Sequence, residues 1–159
     1  MRTCFAALVF FCLLVGAVHA MPAQQIRLTP DDIFAKSAQG AGAGTSGVTG
    51  IQTTVLQGDP SKPGIYTIRL SIPASTKIAA HRHRDNRAAI VMSGTWYFGY
   101  GLRNDVALAK PLAPGSFYTE PAGVAHFAGT RAEPVVVIIT GYGPSDTVYI
   151  NAADDPRTK

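Results

Sequence analysis

Three histidines carry the chemistry this sequence offers. Beyond residue 20 the chain holds His81, His83 and His126 and no other histidine. His81 and His83 stand at i and i+2, so on an extended strand both imidazoles project from one face. Two neutral imidazoles side by side form a clamp for a borderline divalent metal. His126 follows Pro121-Ala122-Gly123-Val124-Ala125, a turn that would launch a new strand. A third imidazole from that strand would complete a facial set of three, the arrangement in which catalytic metals keep open positions. The plain alternative is that the three are scattered surface residues, and a lone His-x-His carries little weight against it.

The surrounding residues add weight. Gly94 lies eleven residues after His83, and Gly115-x5-Pro121-x-Gly123-x2-His126 follows. These segments resemble the two motifs of the cupin superfamily. The first family motif is Gly, His-x-His, three or four residues, Glu, six residues and Gly. His81, His83 and Gly94 fit it, the leading glycine is missing, and Arg87 stands in the glutamate slot. The second is Gly-x5-Pro-x-Gly-x2-His-x3-Asn, which Gly115, Pro121, Gly123 and His126 fit, with Thr130 in place of the asparagine. The resemblance covers roughly residues 48–150. It implies a small antiparallel jelly-roll β-barrel with one divalent transition metal inside on His81, His83 and His126. Three-histidine sites without the carboxylate resemble those of small-molecule dioxygenases, which favours Fe(II) over Zn, Mn or Ni.

Arg87 shares the parity of His81 and His83 and cannot ligate a metal. Three roles stay open. It receives an anionic ligand beside the metal, its planar fork suiting a carboxylate. Or it pairs with Glu120, one of two glutamates in the chain, which itself is a candidate oxygen ligand. Or the strand slips and Arg87 faces solvent near Asp85. Trp96, Tyr97, Phe98 and Tyr100 follow Gly94, and Phe117 and Tyr118 precede the second motif. Alternate members line the barrel, as core or as a wall for a small organic ligand, with Tyr97 and Tyr118 as candidate ligand-binding residues.

The elements that must position these groups are legible from punctuation. Short Val-, Ile-, Thr-, Tyr- and Phe-rich runs between Gly and Pro predict strands near 49–57, 65–72, 77–83, 87–93, 95–100, 116–120, 124–128, 133–141 and 146–151. That pattern is all-β, a sandwich or barrel. Thr29-Pro30-Asp31-Asp32 is a helix-start signature, predicting a short helix near 30–36. Residues 21–47 read as a leader, with a mobile Gly-rich linker over 40–50. Residues 151–159 read as a polar tail that frays. Ala88–Met92 and Val135–Ile139 lack alternation, which predicts that their outer face is covered by the N-terminal segment or by a second copy in a homodimer.

Arg2, the apolar run Phe5–Val18 and Val18-His19-Ala20 read as a signal peptide over residues 1–20, predicting a periplasmic or secreted protein with no membrane association after cleavage. Both cysteines, Cys4 and Cys12, fall inside it, so the remaining chain of about 140 residues has no thiol or disulfide chemistry and suits one domain. The net charge of +4 comes from scattered Lys and Arg, without the basic face that nucleic-acid binding needs. No nucleophile elbow or phosphate loop is present. The functions that remain are a metal-dependent enzyme, a dioxygenase, on a small organic acid or diketone-like compound, a non-catalytic metal or small-ligand binder, and a metal-dependent isomerase or lyase.

Overall fold

Alternation builds the strand on which the barrel rests. In Gly64–Ile72, Tyr66, Ile68, Leu70 and Ile72 are buried and the residues between them are not. The period of two puts every second side chain on one face, and that face is the core. A computed structural model describes residues 25–105 and 107–158. The expected signal peptide lies outside the described residues.

The described chain runs α1 (Pro30–Phe34), β1 (Gln52–Gln57), β2 (Gly64–Ile72), β3 (Lys77–Arg82), β4 (Arg87–Ser93), β5 (Trp96–Tyr100), β6 (Lys110–Leu112), β7 (Phe117–Glu120), β8 (His126–Gly129), β9 (Val135–Gly143) and β10 (Val148–Tyr149). Two five-stranded sheets form, ordered β1-β2-β9-β4-β7 and β10-β3-β8-β5-β6. All pairings are antiparallel. The first sheet contributes Ile68, Val91, Val135, Val137 and Ile139 to the core, and the second contributes Ile78, Trp96, Phe98 and Ala128. This is the expected all-β jelly-roll, with the short helix where its cap predicts: the Thr29 side chain accepts from Asp32 N, and the Asp32 carboxylate accepts from Thr29 N.

Four expectations need correction. Lys110–Leu112 is a strand although Pro111 interrupts it; β6 lies at a sheet edge, where a missing N–H costs no ladder bond. The 40–50 segment is not a free linker. Gln39 and Thr53 exchange backbone hydrogen bonds of 2.8 and 2.6 Å, and Thr45 and Ser46 are buried. The tail is held too. It forms two single-turn 3-10 helices, Ala152–Asp154 and Pro156–Thr158, and Arg157 bonds Asp155 and the Thr147 carbonyl. Finally, β4 does alternate in burial: Ala89 and Val91 face inward while Ile90 and Met92 face out. The leader reaches this sheet at β1 and β2, where Gln39 bridges Thr53 and Phe34 lies 5.6 Å from the Arg69 guanidinium. Ile90, Met92 and Phe117 stay exposed in the single chain.

One glycine marks where the sheet meets the site. A Cβ on Gly141 would lie 2.6 Å from the Tyr66 hydroxyl and 2.7 Å from Asp85 Oδ2. Those two groups are hydrogen-bonded at 2.7 Å, so neither yields freely. Gly141→Ala is expected to cost about 1–3 kcal/mol by overpacking, read as a lowered urea midpoint at unchanged slope.

Candidate metal centre

His81 is the fifth residue of β3, and its cross-strand partner is His126, the first residue of β8. His83 lies one residue past β3 and keeps its parity. The turn before His126 is tied to that strand, because Gly123 N donates to the His83 carbonyl at 2.8 Å and Ala122 N donates to Asn86 Oδ1 at 2.9 Å. Gly123 takes φ +74°, which a side chain would resist. The first histidine segment therefore sets the position of the second.

The three imidazoles converge. Ring centroids lie 4.4 Å (His81–His126), 4.9 Å (His81–His83) and 5.1 Å (His83–His126) apart. Each offers a ligand nitrogen within 4.8 Å of the others, and all three are buried. Their tautomers follow from the backbone. Nδ1 of His81 meets the Ala79 carbonyl at 2.7 Å, that of His83 the Asp146 carbonyl at 2.5 Å, and that of His126 the Val124 carbonyl at 3.1 Å. A carbonyl only accepts, so each Nδ1 carries the hydrogen and each Nε2 keeps a lone pair. Nε2 of His83 and of His126 are buried with no hydrogen-bond partner.

Glu120 closes the group. Its Oε2 lies 3.7 Å from His83 Nε2 and 3.8 Å from His126 Nε2. Imidazole lone pairs and a carboxylate oxygen thus face one another in a buried space with no proton between them. Buried, convergent imidazole lone pairs with no donor to meet them are a ligand set for a Lewis acid, and the three histidines fit a divalent metal. Burial holds the His81 pKa down at about 3 and that of His83 at about 2, and lowers His126 likewise. For Glu120, burial alone would raise the pKa; the Arg87 guanidinium beside it overcomes this and holds the group at about 2.

These shifts set an acid profile for the metal-free protein. In the unfolded chain the histidines take up protons near 6.5; in the folded chain they stay neutral to about 3 or below. The unfolded state binds more protons throughout that window, so stability falls as pH drops from about 6.5 towards 3, by about 1.4 kcal/mol per pH unit for each histidine. At pH 5 unfolding is expected to take up about two to three protons, read from the slope of the urea-unfolding free energy against pH; uptake of one or none there contradicts three buried neutral imidazoles.

No family model and no curated protein matches the sequence. Solved structures do match. The polyketide cyclase RemF from Streptomyces resistomycificus superposes with a TM-score of 0.59 at 16% identity, covering 84% of this chain and 90% of that one. An RmlC-like cupin from Shewanella frigidimarina gives 0.55 at 15%, covering 77% and 94%. KdgF from a Halomonas species gives 0.54 at 16%, covering 72% and 91%. The fold is that of a cupin.

In this cupin Arg87, which stands in the glutamate slot of the first motif, faces a glutamate across a strand ladder. Arg87, first residue of β4, is paired with Glu120, last residue of β7. Its Nε donates to Glu120 Oε2 at 2.6 Å, its Nη2 also meets that oxygen, and its Nη1 donates to the Gly44 carbonyl at 2.6 Å. The reading in which Arg87 turns to solvent near Asp85 is overturned: the residue is buried, and Asp85 instead accepts from Tyr66 and Ser145, each at 2.7 Å. Thr130, in the asparagine slot, ties the end of β8 to the 73–76 turn, donating to the Pro73 carbonyl and accepting from Thr76 N.

The two candidate tyrosines part company. Tyr118 is buried and lines the cavity shared by His81, His126, Arg87 and Glu120. Its hydroxyl has no partner among the described residues, and burial, then Glu120, push its pKa well up. Tyr97 does not join the histidines. Trp96 and Phe98 are the inward members of β5, so Tyr97 takes the opposite face, where it lies 4.0 Å under the Arg131 guanidinium. Sequence reading passed over Asp85, Thr147 and Tyr149. Asp85 had a signal, since it continues the every-second-residue series of His81, His83 and Arg87. Thr147, which donates to the Thr45 carbonyl and lies 3.3 Å from His83 Nδ1, and Tyr149 had none, being supplied by the distant strand β10 and its approach.

Proposed function

We propose that this cupin binds one divalent transition metal on His81, His83 and His126, with Glu120 as a carboxylate neighbour or fourth ligand, and acts as a metal-dependent enzyme on a small organic acid or diketone-like compound. The observation that carries the reading is the set of buried Nε2 lone pairs turned towards one another and towards Glu120 Oε2. A bound metal would supply Lewis-acid polarisation of a ligand oxygen and, as Fe(II), dioxygen chemistry. The chain's own residues do the rest. The backbone carbonyls of Ala79, Asp146 and Val124 fix the imidazole tautomers. Arg87 keeps Glu120 ionised and in place. Phe98, stacked 5.5 Å from His126, and Trp96 give the cavity an apolar wall. Tyr118 offers its hydroxyl proton to a ligand oxygen.

That unpartnered hydroxyl also favours a second reading, a metal-dependent isomerase or lyase that moves protons without oxygen; RemF, of the same fold, is named as a cyclase. A non-catalytic metal or small-ligand binder is the third. The compartment of the proposal is periplasmic or extracellular. The uncharged outer row Phe117–Ile90–Ile138 supports a homodimer, for which light scattering of the purified protein is the check.

The test is elemental analysis of protein recovered from its native compartment, with Glu120→Gln in parallel. Iron near one per chain together with oxygen uptake on a candidate acid supports the dioxygenase; zinc, manganese or nickel without oxygen dependence supports the second reading. Unchanged metal content and affinity in Glu120→Gln removes Glu120 from the ligand set. Wild-type protein that retains no metal sinks the whole reading.

A further inference from the structure

The cavity beside the histidines has a volume of about 30 Å³, against about 300 Å³ or more for pockets that hold small organic molecules. An organic acid does not fit it as it stands. Its walls are mostly residues of the two sheets, whose displacement would break ladder bonds. Its remaining wall is different: Gly44 and Ser46 of the N-terminal segment line the cavity together with His81, Arg87, Glu120 and His126.

This segment is fastened by its carbonyls. Arg87 Nη1 donates to Gly44 O at 2.6 Å, Thr147 Oγ1 to Thr45 O at 2.7 Å, and the Tyr149 hydroxyl to Ser46 O at 2.6 Å. The run Ala43-Gly44-Thr45-Ser46-Gly47 puts no large apolar side chain into the core. Net hydrogen-bond contributions are about 0.5–1.5 kcal/mol each, and about 1.5–3 kcal/mol where one partner is charged. Opening here is therefore cheap compared with opening a sheet. Gly44 and Gly47, both at φ +77°, give the segment flexible joints at its first fastened residue and just after its last.

We infer that residues 43–47 are a movable strap over the histidine cavity, and that the Gly44 carbonyl keeps the place at Arg87 Nη1 which an anionic oxygen of the ligand takes when the strap lifts. Nε and Nη2 of Arg87 remain with Glu120, so lifting frees one donor beside the site. Arg87 and Glu120 are the charged residues of the cavity lining and cancel each other. Against neutral imidazoles, the charge of a bound divalent ion is then met by an anionic ligand, a small carboxylate or enolate. The inference rests on the proposed metal site for its ligand class, while the strap itself does not.

A disulfide tests it. A Cβ on Gly44 would lie 3.5 Å from Ser145 Cβ, within the span that a disulfide bridges, about 3.5–4.5 Å. The Gly44→Cys/Ser145→Cys full-length protein, its 44–145 bond verified by peptide mapping, is loaded with zinc and challenged with EDTA. The oxidised form is expected to lose zinc at least about ten-fold more slowly than the reduced form of the same variant, because the route then requires a larger opening. Acetate titrated into the zinc-loaded protein is expected to bind the reduced form more tightly. Equal zinc loss and equal acetate binding in the two redox states overturn the inference. Hydrogen exchange supplies a readout that needs no metal: amides of residues 42–48 are expected to exchange well ahead of those of β2. If wild type and the reduced variant retain no zinc, the metal reading fails, and exchange decides alone; strap amides as slow as β2 overturn the strap.

Discussion

Arg87→Met is expected to lower the stability of the metal-free protein by about 3–5 kcal/mol. The pair it breaks is among the most buried charges of the described chain, Arg87 at 5% and Glu120 at 4% exposure. Removing the guanidinium leaves a carboxylate without water or counter-charge, and leaves the Gly44 carbonyl without its donor. The stranded carboxylate then takes up a proton at far higher pH, so the loss is greatest at neutral pH and shrinks in acid. Combining Arg87→Met with Glu120→Gln is expected to recover most of the loss, since no lone charge remains. Urea denaturation of the two single variants and the double variant measures the coupling directly. A single-variant cost below about 1 kcal/mol would mean that the pair is solvated in solution.

The second large effect separates stability from function. His126→Leu is expected to weaken metal binding by more than about a hundred-fold, since losing even a partner of a ligand costs 10–100-fold. The metal-free protein is expected to change by no more than about 1.5 kcal/mol. The substitution forfeits the bond from Nδ1 to the Val124 carbonyl but also removes a buried Nε2 that none of the described residues pairs. A residue kept for packing behaves the opposite way, with a large stability loss and no effect on ligands. Zinc titration beside urea unfolding distinguishes them: an unchanged zinc affinity contradicts a ligand role for His126.

How much of this was legible beforehand depended on the kind of signal each group leaves. The histidines were visible because their spacing is local and because a strand projects alternate residues together. Arg87 shared that series, which correctly turned it inward. Its partner was harder, as Pro121 disturbs the alternation on which the parity of Glu120 would have rested; only the register Arg87↔Glu120 places it. Tyr97 and Tyr118 could not be separated for a related reason. The residues near Gly94 leave the strand phase open, and burial of Trp96 and Phe98 decides it. That residues 40–50 are fastened to the barrel left no trace in the sequence for another reason. A Gly-, Ala- and Ser-rich run announces that it brings no apolar side chains. It is silent about whether its carbonyls are wanted elsewhere, and here Arg87, Thr147 and Tyr149, all distant in sequence, want them.

That arrangement bears on where the domain should be said to begin. A chain started at Val48 would retain all ten strands and both sheets, and by that measure would count as the whole barrel. It would also abandon three buried donors and take Gly44 and Ser46 from the cavity beside His81, so the barrel's strands and its full complement of hydrogen bonds begin at different places.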